Sequence, residues 1–162
     1  MASIYLIRHG QASFGSDNYD QLSPLGQRQA DITGRFLQET GLGIDAAYAG
    51  SLSRQQETAQ RALAGLGNPC ELITDERFNE INNDEQVKAL LPSLVEKDES
   101  LAEIVARGFS SSKDYQKVID AVFNAWVSPE CPACGIVRWA DFRDGVRASL
   151  KDIMTTVGAG KN

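Results

Sequence analysis

A run of large apolar residues, Ile4-Tyr5-Leu6-Ile7, stops abruptly at Arg8-His9-Gly10, and no other feature constrains the fold of the chain as strongly. An unbroken apolar run of this length suits a strand covered on both faces, as in a parallel sheet. A polar loop follows from Gln11 to Leu22. Ser23-Pro24 then reads as a helix N-cap with proline at the first helical position, and Gly41 as the stop. Leu25, Ala30, Thr33 and Leu37 mark the expected buried stripe of that helix. Ile44 to Gly50 is a second strand-like run. Ser51-Leu52-Ser53-Arg54 leads into a helix ending near Gly65 or Gly67, and Cys70 to Ile73 reads as a third short strand. The order β-α-β-α-β predicts an α/β fold, whose ligands sit at the carboxyl ends of the strands. His9 and Arg54 both lie just past such ends.

From Glu85 to Trp126 the pattern is helical, broken by Pro92, Gly108 and the serines 110–112, and residues 129–135 form a turn-rich loop. The last helix is the clearest. Trp139, Phe142, Val146, Leu150, Ile153 and Val157 follow three- and four-residue spacing, with Gly158 or Gly160 as its end. A length of 162 residues favours a single domain, 1–162. A net charge of −6, from 16 basic and 22 acidic residues, argues against a nucleic-acid partner. The opening apolar run is far short of a membrane span, and Arg8 cuts it too early for a signal-peptide core, which points to the cytoplasm. Three cysteines form no closed disulfide framework, in keeping with that compartment. Cys131 and Cys134 have C-x-x-C spacing, but zinc needs about four ligands and only distant Cys70 and His9 remain, so no metal is expected. Gly158 to Asn162 imitates the end of a phosphate-binding loop without its first glycine or its Ser/Thr, and no cofactor is assigned to it.

The junction residues carry chemistry. A neutral imidazole can attack phosphorus and hold the phosphoryl group covalently, and a guanidinium fork binds phosphate oxygens without ever losing its charge. Positive neighbours such as Arg8 would disfavour the protonated form of His9. Arg54, at the start of a helix, stands where unpaired N–H groups and the helix dipole gather anions, and so it is suited to complete a phosphate pocket with Arg8.

Leu6-Ile7-Arg8-His9-Gly10 resembles the signature of the histidine phosphatase superfamily, the phosphoglycerate-mutase-like proteins. Three later segments are similar in order and spacing: Leu22 to Ala30, Ser51 to Ala59 with Arg54 and Thr58 at its fixed positions, and Glu76 to Ile81. The resemblance covers roughly the first half of the chain. It implies a three-layer α/β/α fold around a mixed, mostly parallel sheet, and an insertion of helices over the active site at residues 85–135. It further implies a phosphomonoester hydrolase in which His9 is the phosphoryl-accepting nucleophile, Arg8 and Arg54 clamp the transferring oxygens, and Glu80 is acid and then base. In that role the Glu80 carboxyl is expected to stay protonated through burial or bound phosphate. Glu76 is the nearest competitor for the role. The expected partner is a phosphorylated small molecule or a phosphoprotein, and homo-oligomerisation is left open.

Three departures qualify the resemblance. Gln11 stands where the family commonly has glutamate, and Gly15 where many members have a phosphate-contacting asparagine. Ser13 and Ser16 are the candidates to replace that phosphate contact. These changes favour a phosphatase over a cofactor-dependent mutase. The family's second catalytic histidine lies in a later Ser/Thr-His-Gly motif, after a helix resembling the one from Trp139 to Val157. The sequence has one histidine, so it reads as a truncated member, with a phosphate-binding or interaction protein of impaired catalysis as the alternative.

Overall fold

The computed structural model of the chain describes residues 3–13, 19–67, 70–131 and 135–157. Its elements are α1 (Pro24–Glu39), β1 (Ala47–Ala49), α2 (Ser53–Leu66), β2 (Leu72–Thr74), one 3-10 turn (Glu76–Phe78), α3 (Asn83–Val95), α4 (Glu99–Arg107), α5 (Ser112–Val127) and α6 (Trp139–Val157). β1 and β2 pair in parallel, Ala47 opposite Leu72 and Ala49 opposite Thr74, with α2 between them in the chain. This is a β-α-β unit, so the fold combines helices with a parallel sheet as the motif order implies. Both strands are shorter than the expected runs. The contacts divide the chain into two compact units, Met1–Glu80 with Val146–Asn162, and Ile81–Gly145. Among the described residues no helix is long and apolar enough to cross a membrane.

The first unit is built on α1 and α2. Ser23 caps α1 by accepting the Gly26 N–H at 3.1 Å, with Pro24 behind it, as the sequence predicts. Gly41 turns the chain just past the end of α1 with φ 68°, and Gly67 ends α2 with φ 70°. The buried stripe of α1 differs from the expected one. Gly26, Ala30, Gly34 and Leu37 are buried, whereas Leu25 is exposed and Thr33 half-buried. Close backbone approach is the reason. A Cβ on Gly26 would stand 2.2 Å from the Gln11 carbonyl oxygen, and one on Gly34 would stand 2.3 Å from that of Ala62. The helix therefore packs through its smallest residues, and Leu25, Ile32 and Phe36 remain on exposed positions.

The N-terminal run does not form the expected buried strand. Residues 3–11 enter no ladder, and Ile4, Tyr5, Leu6 and Ile7 are exposed, Leu6 at 81%. Among the described residues no strand lies alongside to take its backbone groups, and an apolar run is buried only where neighbouring strands and a covering layer exist. What is fixed is the far end of the run. The Gly10 N–H donates to Thr58 Oγ1 at 3.0 Å and the Gln11 N–H to Gln29 Oε1 at 2.8 Å, and Ala12 forms an antiparallel bridge with Leu22.

The C-terminal half of α6 belongs to this first unit. Buried Ser149 donates its hydroxyl to Asp75 Oδ2 at 2.6 Å, and Arg77 bridges Asp75 and Asp152, each at 2.7 Å. The Arg77 guanidinium holds the Asp75 carboxyl well below the usual carboxylate range; burial opposes this, and the Ser149 hydroxyl reinforces it.

The second unit has its own core of Leu90, Leu101, Ile104, Val118, Val122 and Trp126, from α3, α4 and α5. Trp126 donates its indole N–H to the Val137 carbonyl at 2.7 Å and meets Trp139 edge to face at 5.3 Å. Gly108 (φ 78°) and Ser111, the N-cap of α5, separate α4 from α5 as expected. Pro92 does not break the pattern as expected. It lies inside α3, which continues through it to Val95 at the cost of one ladder hydrogen bond. Cys131 is half-buried against this core, while Cys134 and residues 158–162 lie outside the described residues.

Two outcomes follow from the packing of the first unit. Gly26→Ala drives a methyl into a backbone carbonyl and should destabilise the protein by about 1–3 kcal/mol, read from urea unfolding; an unchanged midpoint would contradict the close approach. Because Asp75 is depressed when folded, its contribution is present above its ordinary value of 3.8 and is lost as pH falls through the lower folded value. Asp75→Asn should start from a lower Tm at pH 7 and lose less Tm than the unsubstituted protein on acidification below pH about 4.

Candidate functional site

His9, Arg54 and Glu80 are remote in sequence and meet in the first unit. Arg54 is the second residue of α2 and is only 6% exposed. Leu52, at the N-cap of α2, offers no side-chain cap, and Asp20 supplies one from the segment before α1. Asp20 Oδ2 accepts the Ser53 N–H at 2.8 Å, and Oδ1 accepts both the Arg54 N–H at 3.4 Å and Arg54 Nη1 at 2.7 Å. The Tyr19 ring lies against the same guanidinium, its centroid 5.6 Å from Cζ. Nη2 donates to Glu80 Oε2 at 3.0 Å. Buried Nε finds no acceptor among the described residues.

Glu80 reaches Arg54 because the segment before it is tied to the start of α2. Asn79 Oδ1 accepts the Ser51 N–H at 2.7 Å, Asn79 Nδ2 donates to Ser51 Oγ at 2.9 Å, and Gln55 Nε2 donates to the Phe78 carbonyl at 2.8 Å. His9 is placed from the other side. The Thr58 hydroxyl that accepts the Gly10 N–H donates to the Arg54 carbonyl at 2.7 Å, so one hydroxyl joins the backbone beside His9 to the backbone of Arg54. His9 Nδ1 lies 2.7 Å from the Gly10 carbonyl oxygen, and Nε2 lies 3.4 Å from Glu80 Oε2. A carbonyl oxygen only accepts, so Nδ1 carries the hydrogen in that bond and Nε2 is the nitrogen turned toward Glu80.

The electrostatics correct two expectations. The charged group facing His9 Nε2 is the Glu80 carboxylate rather than a guanidinium. Burial would raise the Glu80 carboxyl, but the Arg54 hydrogen bond and charge, followed by those of His9, outweigh it, and Glu80 is held below its ordinary value. With Arg54 and His9 beside it, the burial of Glu80 does not suffice to keep it protonated, and of the two expected causes only bound phosphate is left. Burial likewise opposes the charge on Arg54, yet Glu80 and Asp20 together raise its pKa. Asp20 is lowered: its burial is outweighed by the two backbone N–H groups and the guanidinium.

Arg8 is not drawn into this cluster. Its side chain is exposed and lines, with His9, Gln11, Tyr19, Gln29 and Thr58, a cavity of about 550 Å³. Ser13 sits beside the bridge to Leu22, its N–H donating to the Gln21 carbonyl at 2.8 Å. Ser16 and Gly15 lie outside the described residues. The Gln11 side chain is turned to Ser23, whose hydroxyl donates to Oε1 at 3.5 Å. Glu76, the rival acid, opens the 3-10 turn and is exposed. Among the described residues no group of three His, Cys, Asp or Glu side chains is arranged to hold a metal ion.

Sequence reasoning missed Asp20, Asn79 and the role of Thr58. Thr58 carried a signal, since it stands four residues after Arg54 and therefore on the same face of α2. Asp20 and Asn79 act across the fold on the start of α2, and no local spacing announces them.

Residues 4–97 match the family model of the histidine phosphatase superfamily (branch 1). The chain is 36% identical over 87 residues to the 2,3-bisphosphoglycerate-dependent phosphoglycerate mutase of Bartonella tribocorum, an alignment covering 49% of this chain and 42% of that protein. Mutases of the same name from Brucella ovis and Brucella suis are 36% identical over 85 residues, 48% of this chain and 41% of theirs. The chain therefore matches less than half the length of these relatives. The matched family segment contains His9, Arg54 and Glu80 and more than half of the chain, which belongs to the histidine phosphatase superfamily.

Proposed function

We propose that this chain serves as a phosphomonoester hydrolase that works through a phosphohistidine at His9, with a phosphorylated small molecule or a phosphoprotein as substrate. The observation that carries this reading is the continuous contact His9 Nε2–Glu80 Oε2–Arg54 Nη2, at 3.4 and 3.0 Å. It brings together an imidazole, a carboxylate and a guanidinium, the three groups this chemistry calls for. With Nδ1 held by the Gly10 carbonyl, Nε2 attacks phosphorus, the N–P bond forms and the ester P–O bond breaks. Arg54 and Arg8 meet the charge on the equatorial oxygens. Glu80 gives its proton to the leaving oxygen, then takes one from the water that cleaves the N–P bond and releases orthophosphate.

The ionised state of Glu80 fits this sequence once substrate is considered. A phosphoryl oxygen arriving at Arg54 Nη2 takes the cation that holds the carboxyl down, and the negative charge of the dianion beside it then favours the protonated acid. Hydrolysis rather than the mutase activity named for the relatives is favoured by Gln11, whose amide is occupied with Ser23. A second reading, phosphate binding without turnover, rests on the single histidine of the sequence.

The test is steady-state hydrolysis of p-nitrophenyl phosphate and of an alkyl phosphate. His9→Ala should abolish both activities, and turnover unchanged by it would sink the hydrolase reading. Glu80→Gln should slow the alkyl ester by about 10²–10⁴-fold and the nitrophenyl ester far less, because the better leaving group needs no proton. Orthophosphate binding without turnover in the unsubstituted chain would favour the second reading.

A further inference from the structure

We propose that Asp20 is a positioning residue for phosphate binding, one that aims the Arg54 guanidinium by fixing its backbone and its head group together. The inference rests on the reading of Arg54 as a phosphate clamp. Long arginine side chains are mobile, and a clamp with a free guanidinium would have to be ordered each time a ligand arrives. Here Asp20 removes that freedom. Its carboxylate accepts the N–H of Ser53 and of Arg54 at the start of α2 and, with the same Oδ1, Nη1 of Arg54 at 2.7 Å. The root and the tip of one side chain are thereby referred to a single group.

The donor pattern shows why this group must be a carboxylate. Nε of Arg54 has no acceptor among the described residues, so it contributes nothing to the aim of the guanidinium. Nη2 is engaged by Glu80, which the proposed reaction requires to leave. Nη1 on Asp20 is the contact that can persist through ligand binding. Each of these three partners of Asp20 is a donor, and only an ionised carboxylate presents acceptors on both oxygens. An asparagine has one acceptor oxygen: placed on the Ser53 N–H it turns its N–H₂ toward Nη1, and placed on Nη1 it turns its N–H₂ toward the Ser53 N–H, so in either orientation one contact and the charge that holds the guanidinium are lost.

The chain has one histidine, so the His9 imidazole proton resonance of untagged protein reports this site alone. Inorganic phosphate is titrated against that resonance in the unsubstituted chain, Asp20→Asn, Asp20→Ser and Arg54→Ala, with thermal unfolding of each. Asp20→Asn should fold, with a Tm modestly lowered by the lost cap contact, and weaken phosphate binding by about tenfold, the effect of one charge-assisted hydrogen bond. Asp20→Ser, whose hydroxyl is one atom too short to replace either carboxylate oxygen, should show at least the same weakening and decides the matter if the asparagine variant does not fold. Binding unaltered in a folded Asp20 variant, with Arg54→Ala impaired, overturns the positioning role alone. Arg54→Ala binding phosphate as well as the unsubstituted chain, or no phosphate response at His9 at all, overturns the clamp reading and the positioning role together.

Discussion

A full positive charge sits on a side chain that is 8% exposed, and the arrangement around Arg54 follows from that fact. Removing a guanidinium from water is tolerable only where anions and acceptors replace the lost hydration. Asp20 and Glu80 provide them from two different segments, one preceding α1 and one following the 3-10 turn. Each segment is in turn held to α2, the first through the backbone N–H groups of Ser53 and Arg54, the second through Asn79 and Gln55. The buried cation thus acts as the point on which a loop, a helix start and a strand exit are registered. On the proposed reading the same compensation would make the site responsive, because a ligand anion would compete with Glu80 for Nη2.

The parts of this structure that were legible in the sequence are those decided locally. Ser23-Pro24 starts α1 because a hydroxyl and a fixed φ act within one turn, and Gly67 ends α2 because a left-handed residue is needed there. His9 and Arg54 were legible from their places just past strand-like runs, whereas Glu80 was legible only through the family resemblance, since its spacing does not set it apart from the acidic residues around it. Ile4 to Ile7 were misread because strand burial is a property of neighbours, and a run of apolar side chains carries no record of whether neighbours are present. Leu25 and Thr33 were misassigned for a related reason. Apolar periodicity weighs large side chains, whereas α1 meets α2 and the Gln11 backbone through the residues with least to bury, Gly26 and Gly34.

The division into two units places the natural spectroscopic probes of the chain on opposite sides. Both tryptophans, Trp126 and Trp139, belong to the Ile81–Gly145 unit, where they contact one another, and the lone histidine belongs to the unit that holds Arg54 and Glu80. Intrinsic tryptophan emission consequently follows the helical unit, and the imidazole resonance follows the unit of Arg54 and Glu80. Coincidence or separation of the two signals during denaturation measures how far the units unfold as one. An emission-based melting curve taken alone would describe a part of the molecule that contains none of the proposed catalytic residues.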